Sequence, residues 1–358
     1  MNNKLLKVFT KRPYIVKLGR ASFGIYIALM IWGKSKKRKK IAVSNNVCHD
    51  VIFAIIKAGF EPFFCDISCE TGNVLISELI RAKENGVSGI INIHAYGNPI
   101  DSNKVRQIFP KNDFLFIDDA AQSIGAKYGN TFTGDTGDIG IFSFGKSKQI
   151  KSEGGIIACN ELSLFKEINL FLKQYFYQSK IKDNRNITKF TKKFYLSLEE
   201  FKKKHNRNVF QNLLMNYDPN YTLWNDRNDD FIEKKISRLD EIINDRISKL
   251  YLWNKVLSDL PIKSISLDIS ENIISNPWRA CFFSQDRSIN IFTFANKLRK
   301  FGINISHWYP PGNWYLNVND CKLEFSEIFF KNSFQLWIDE SISLTSIKKQ
   351  GKIINECF

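Results

Sequence analysis

The chain is poor in the residues that staple or punctuate a fold. Its 358 residues include seven cysteines, nine prolines, three methionines and four histidines. The cysteines are odd in number, scattered from Cys48 to Cys357, and never spaced as CxxC. That excludes a disulfide framework and a zinc-type ligand set, so reduced thiols and no bound metal are expected. No apolar run exceeds the ten residues from Phe23 to Trp32, whereas a membrane-spanning helix needs ~20. No membrane association is expected, and because residues 1–17 lack an apolar signal core, a cytoplasmic location is expected. Glycine is missing from the whole stretch between Glu161 and Arg246, which holds one proline, Pro219.

What is present is material for a large core. Hydrophobic residues make up 44% and charged residues 25%, ordinary for a globular protein and against general disorder. The length suits two domains. With 52 Lys and Arg against 36 Asp and Glu, the formal charge is +16. A solvated basic surface is the plain reading; attraction of a phosphorylated substrate is the functional one, and no nucleic-acid partner is expected.

The first half alternates short apolar runs with helical patterns. Helices are expected at 21–31, 51–58, 75–85 and 103–109. Strands are expected at 41–43, 62–67, 89–94, 114–117, 140–144 and 155–159. This alternation predicts an α/β fold with a mostly parallel sheet covered on both faces. From Glu161 to Arg246 the pattern reads as helical, with an irregular segment near Asn184 to Tyr217. Phe231 to Leu260 has the period of one long connecting helix (Ile232, Ile236, Leu239, Ile243, Ile247). The last hundred residues read as a smaller α+β domain, with strands at 280–284 and 303–307 and helices at 289–301 and 342–356. The expected division is a large domain over 1–245 and a small one over 246–358.

Three segments carry chemistry. In FLFIDDAAQSIG (Phe114 to Gly125) a buried strand runs into two carboxylates, at the end of a parallel strand where ligands bind; a helix cap is the ordinary alternative. In DIGIFSFGKSKQIKSEGGIIAC (Asp138 to Cys159) a strand is followed at once by Lys146, Ser147 and Lys148 in a glycine-flanked loop. A lysine held there can form a Schiff base, and Ser143 and Ser147 can bind a phosphate, though solvated surface lysines are the commoner outcome. In GRASFGIYIAL (Gly19 to Leu29), Ala21 and Ser22 open an apolar helix whose free N–H groups suit an anion. Together, a carboxylate at one strand end, a lysine at another and a phosphate-ready helix start meet the needs of pyridoxal 5'-phosphate.

The sequence resembles the DegT/StrS-type sugar aminotransferases. The likeness runs in order through RASFGIYIAL, IAVSNNVCHDVIFAIIKAGFEPFFCDI, INIHAYGNPID, FIDDAAQSIGAKYGN, GDIGIFSFGKSKQIKSEGGIIACN and LRKFGINISHWYPP. The resemblance implies an aspartate-aminotransferase-like fold type I, pyridoxal phosphate as cofactor, and transfer of an amino group from L-glutamate to a nucleotide-linked keto-sugar for surface polysaccharide (O-antigen) biosynthesis. It implies Lys148 as the Schiff-base lysine, Asp119 as partner of the pyridine nitrogen, Gln122 against the ring, and Ser143, Ala21 and Ser22 around the phosphate. Cys48 stands where many members place an aromatic that stacks on the ring. His307, Tyr309 and Arg279 fall on the substrate side. The family further implies a homodimer. Two alternatives keep the fold: a small phosphorylated ketone as acceptor, or a sugar dehydratase, in which histidine stands at the position of Lys148.

Overall fold

The computed structural model describes residues 6–34, 39–178, 192–194, 196–200, 208–217, 224, 226–265, 272–314, 316 and 323–358. At its centre is a seven-stranded sheet in the order β1-β9-β8-β5-β4-β2-β3. The strands are β1 Tyr14–Leu18, β2 Lys40–Ser44, β3 Glu61–Cys65, β4 Gly89–Ile93, β5 Leu115–Asp119, β8 Ile139–Ser143 and β9 Gly155–Cys159. The pairings β2–β3, β2–β4, β4–β5 and β5–β8 are parallel. β9 runs against both β8 and β1, so only β9 is reversed.

Successive side chains of a strand point to opposite faces, and here each face meets its own helices. Leu115 and Ile117 of β5 join a core with helices α1 (Ala21–Trp32), α2 (His49–Lys57) and α5 (Leu162–Gln178). Phe116, between them, joins a second core with α3 (Ile76–Glu84) and α4 (Ser102–Ile108). Each buried Ile, Leu or Phe contributes ~1.5–3 kcal/mol, so a one-residue register slip, which would exchange the two faces, is strongly disfavoured. α1 starts after extended Arg20 and stops at Gly33. Its apolar residues are buried through most of its length because it lies under the sheet.

Residues 192–194, 196–200 and α6 (Asn208–Met215) are helical, which corrects the irregular reading there; residues 184–191 lie outside the described residues. Phe194, Leu198, Phe210, Leu213 and Tyr217 are buried in the α1/α2 core. These described residues between 192 and 217 therefore pack on their own chain, with His49 and Phe194 stacked at 3.9 Å.

The expected single helix over 231–260 is two. α7 (Asp229–Ile236) and α8 (Leu239–Val256) are separated at Ser237 and Arg238, where the backbone leaves helical geometry at Arg238 (φ −115°, ψ 24°). The break needs neither Gly nor Pro. It turns Ile232 and Ile236 together with Leu239 and Ile243 into one cluster with Phe142, Phe144 and Ile156. The boundary expected between residues 245 and 246 falls inside α8.

Beyond α8, a four-stranded antiparallel sheet runs β10-β12-β14-β13. It comprises β10 Ile262–Ser264, β12 Ala280–Ser284, β13 Ile305–Ser306 and β14 Ser333–Leu336. Leu250 and Trp253 of α8 share its core with α9 (Ile291–Lys300) and α11 (Leu344–Cys357). Helix α10 (Glu324–Asn332) leads directly into β14. A small third sheet, β11 (Ile273–Ile274) with β6 (Lys127–Tyr128) and β7 (Thr131–Phe132), ties the second half of the chain to the first. No helix among the described residues is long and apolar enough to cross a membrane.

Candidate active site

The parallel strands all point their C-terminal ends at one edge, and the chemistry-bearing segments lie there. β5 ends on Asp118 and Asp119. Asp118 is fully buried and saturated: it accepts from Asn92 Nδ2 (3.0 Å), His94 Nε2 (3.0 Å) and the N–H groups of Gly134 (3.0 Å) and Thr136 (3.1 Å). Because Ile100 N–H donates to His94 Nδ1 at 2.9 Å, the proton of that imidazole sits on Nε2 and points at Asp118. Burial alone would raise the Asp118 carboxyl; His94, Asn92 and the Thr136 N–H overcome it and hold it at about 2.

Asp119 turns to the other face. It accepts the Ala121 N–H at 2.8 Å, and among the described residues that is its one hydrogen bond. Burial raises its carboxyl above the ordinary range, against the Ala121 N–H and the nearby charge of Lys148.

The Lys148 segment leaves β8 at Ser143 and returns at Gly155. Its ends are closed by Phe144 N–H to Gly154 C=O (3.0 Å) and Ser152 N–H to Phe144 C=O (2.7 Å). The three lysines of this segment have different surroundings. Lys146 is exposed. Lys151 pairs with Asp339 at 2.7 Å. Lys148 is half-buried, and its amine feels the charges of Asp119, Asp50 and Arg279. Burial lowers its proton affinity, with the two carboxylates opposing and Arg279 adding to the fall. Ser143 Oγ accepts from Gly145 N–H at 3.4 Å.

Beside this loop lies the start of α1. Gly155 has no Cβ because one would meet the Ala21 nitrogen at 2.6 Å. The first turn of α1 carries no acidic residue and no side-chain cap. Ser22, 7% exposed, holds its hydroxyl buried with no hydrogen-bond partner among the described residues. A buried orphan hydroxyl among free helix N–H groups is a ready acceptor site for an anion. Cys48 caps α2, and burial, with Asp50, pushes its thiol up to about 12, so it is a neutral neighbour of Lys148. Gln122 Oε1 accepts the Tyr96 N–H at 3.0 Å; its Nε2 has no protein partner among the described residues.

The structure thus brings together Lys148, Asp119, Gln122, Ser143, Ala21, Ser22 and Cys48. Of the substrate-side candidates, Arg279 and Tyr309 pack on Trp278, whose ring lies beside Lys148, and His307 packs on Phe292. Arg279 is buried with its guanidinium 3.4 Å from the Trp337 ring and 4.4 Å from that of Trp278, and it donates to Ser306 Oγ at 2.7 Å. Tyr309 stacks on Trp278 at 6.0 Å. The His307 ring packs edge-on to Phe292 at 4.6 Å. Trp278 itself, not singled out in the sequence, lies with its ring centroid 5.9 Å from Lys148 Nζ. No short-range pattern marks it, since its contacts to this loop come from 131 residues away.

Comparisons with known proteins place this arrangement. The model of the DegT/DnrJ/EryC1/StrS aminotransferase family matches residues 3–196. The chain is 28% identical over 153 residues to the GDP-perosamine synthase of Escherichia coli O157:H7, covering 42% of each protein. It is 28% identical over 158 residues to the pleiotropic regulatory protein of Geobacillus stearothermophilus, covering 44% of this chain and 42% of that one. The chain thus matches less than half the length of these curated relatives. In structure, a DegT DnrJ EryC1 StrS aminotransferase from Brucella abortus superposes with a TM-score of 0.76 at 18% identity, over 99% of this chain and 88% of that one. Helicobacter pylori PseC, an aminotransferase of pseudoaminic acid biosynthesis, superposes with 0.76 at 15% identity, over 99% and 89%. At these identities the likeness is one of fold, and the expected aspartate-aminotransferase-like fold type I is borne out. The family match extends over more than half of the chain, so this chain belongs to the DegT/DnrJ/EryC1/StrS aminotransferase family.

Proposed function

We propose that the protein is a pyridoxal-phosphate-dependent sugar aminotransferase. The observation that carries the reading is the Lys148 amine and the Asp119 carboxylate held within each other's electrostatic reach at the strand ends, on the same edge of the sheet as the start of α1 with the orphan hydroxyl of Ser22. These residues fit the cofactor's three functional ends. Lys148 would anchor it, Asp119 would accept from its ring nitrogen, and Ser22 with the first turn of α1 and Ser143 would hold its phosphate. Bound there, pyridoxal phosphate would supply an electron-withdrawing ring that stabilises negative charge on the substrate carbon losing a proton.

The protein's own groups set the conditions for that chemistry. Burial lowers the Lys148 proton affinity, so more of the amine is neutral at physiological pH and free to act as nucleophile and proton carrier. Burial raises Asp119 in spite of the Ala121 N–H and the nearby charge of Lys148; a protonated ring nitrogen opposite would pull it down. Gln122 Nε2 offers a hydrogen-bond donor beside the ring.

The substrates we propose are L-glutamate as donor and a nucleotide-linked keto-sugar as acceptor, giving 2-oxoglutarate and an amino-sugar for surface polysaccharide. The E. coli relative, a GDP-perosamine synthase, supports that class. An amine at position 148 supports amino transfer over the dehydratase alternative. We place the protein in the cytoplasm and propose a homodimer as its working form.

The test is direct. Protein incubated with pyridoxal phosphate and reduced with borohydride is expected to carry the adduct on Lys148. An adduct on Lys146 or Lys151, or none, would sink the reading. Glutamate-loaded enzyme offered keto-sugar nucleotides and small phosphorylated ketones in parallel then decides the acceptor. Sedimentation is expected to show twice the 41.6 kDa chain mass; a monomer that transaminates would overturn the dimer.

A further inference from the structure

Trp278 reaches the Lys148 segment twice. Its indole Nε1–H donates to the carbonyl oxygen of Ser147 at 2.6 Å, and its ring lies 5.9 Å from the Lys148 amine. The residue on the other side of the lysine is tied to the same strand approach. Gln149 Nε2 donates to Asn276 C=O at 3.1 Å, and Asn276 Nδ2 donates to Ile124 C=O at 2.7 Å. Lys148 itself has one backbone bond, from its N–H to Gly145 C=O at 2.8 Å. The lysine is therefore held through its neighbours, and the neighbours are held by residues 276–278.

Trp278 is a fixed support. It is 2% exposed, its N–H donates to Tyr96 C=O at 2.9 Å, and its own carbonyl accepts from the buried Arg246. Tyr309 stacks on it nearly parallel, 16° between planes. An indole locked on its backbone and on its faces presents one N–H in a single direction, and here that direction is the Ser147 carbonyl.

We propose that Trp278 is the positioning residue of Lys148: its N–H fixes the backbone beside the lysine, and its ring forms the wall that turns the amine toward Asp119. The inference rests on the aminotransferase reading for the use of that amine. The charged and titratable groups that act on the amine are Cys48 at the cap of α2, Asp50 in α2, Asp119 from β5 and Arg279 ahead of β12. On this proposal the Trp278 ring, 5.9 Å away, supplies part of the burial that lowers its proton affinity.

The experiment compares wild type, Trp278→Phe and Trp278→Leu without cofactor. Competitive acetylation with acetic anhydride across pH, read by mass spectrometry, gives the titration of each lysine; hydrogen exchange reports residues 145–150. In wild type, Lys148 is expected to titrate below the exposed Lys146. Trp278→Leu is expected to move Lys148 up toward Lys146. Trp278→Phe keeps the wall and drops the hydrogen bond, so its titration stays near wild type while exchange in 145–150 speeds roughly five- to tenfold and exchange in α5 does not change. A folded Trp278→Leu with an unshifted Lys148 overturns the proposal, and so does a Trp278→Phe with unchanged exchange, which decides alone where Trp278→Leu does not fold. A wild-type Lys148 that titrates low yet takes no pyridoxal phosphate sinks the aminotransferase reading and leaves Trp278's hold on the lysine standing.

Discussion

Asp118 and Asp119 are consecutive residues of β5 with opposite surroundings: Asp118 is met by four donors within 3.1 Å on the α3/α4 side, while Asp119 takes one protein N–H and faces Lys148. The pair separates stability from chemistry. Asp118→Asn removes a buried charge and leaves its donors mismatched, so about 3 kcal/mol of stability should go. Asp119→Asn should keep the fold within about 1 kcal/mol and slow transamination roughly 10²-fold or more. Urea unfolding and turnover on both variants check this; the reverse assignment of damage would refute it.

Acid stability should carry the Asp118 signature. Its folded value of about 2 lies below the unfolded ~3.9. A depressed carboxyl stabilises above the unfolded value, and the contribution is lost as pH falls from ~3.9 through about 2, amounting to roughly 2–3 kcal/mol. Denaturation across that window should be steep for wild type and flatter for Asp118→Asn. Equal slopes would show that other groups govern acid unfolding.

Ser22→Ala should leave the melting temperature unchanged, because the hydroxyl has no protein partner to lose. Its affinity for pyridoxal phosphate should weaken about tenfold, the worth of a hydrogen bond to a charged group. Equilibrium dialysis measures it. Undiminished affinity would move the phosphate away from the start of α1.

Gly155→Ala should damage both. The new methyl meets Ala21 N at 2.6 Å, Ala21 Cα at 2.7 Å and Phe142 O at 2.9 Å, all backbone. Overpacking of this kind costs about 1–3 kcal/mol, and it pushes the start of α1 out of place. Calorimetry and cofactor titration should both register the change. A variant with native melting and native affinity would contradict the close approach.

Much of the large sheet was legible because its strands are short apolar runs bounded by turns, and β5, which ends on Asp119, and the loop after β8, which carries Lys148, lie within motifs that stand out locally. The remainder was hidden for physical reasons. β14 follows α10 without Gly or Pro, and only Lys331, Asn332 and Ser333 stand between Phe330 and Phe334, too short a polar gap to mark where helix ends and strand begins. The break at Ser237 and Arg238 is imposed by packing both flanks onto the Phe142–Phe144 cluster, which no local signal announces. Trp278 is visible only through contacts across 131 residues of chain. The expected roles of Arg279 and His307 came from their place in the sequence; the stacking of one between indoles and of the other on Phe292 is a matter of tertiary structure.

The pairing of Leu18 with Gly155 works as a ruler. Three residues after Leu18 the chain opens α1 with Ala21 and Ser22, and seven residues before Gly155 stands Lys148. The β1–β9 ladder thereby sets the spacing between the anion end and the amine end of the site. Strand positions come in steps of ~3.3 Å, so that spacing can change only in jumps larger than any bound molecule tolerates. Length changes at Gly19 and Arg20 should accordingly be far less forgiving than insertions of the same size on the opposite rim of the sheet.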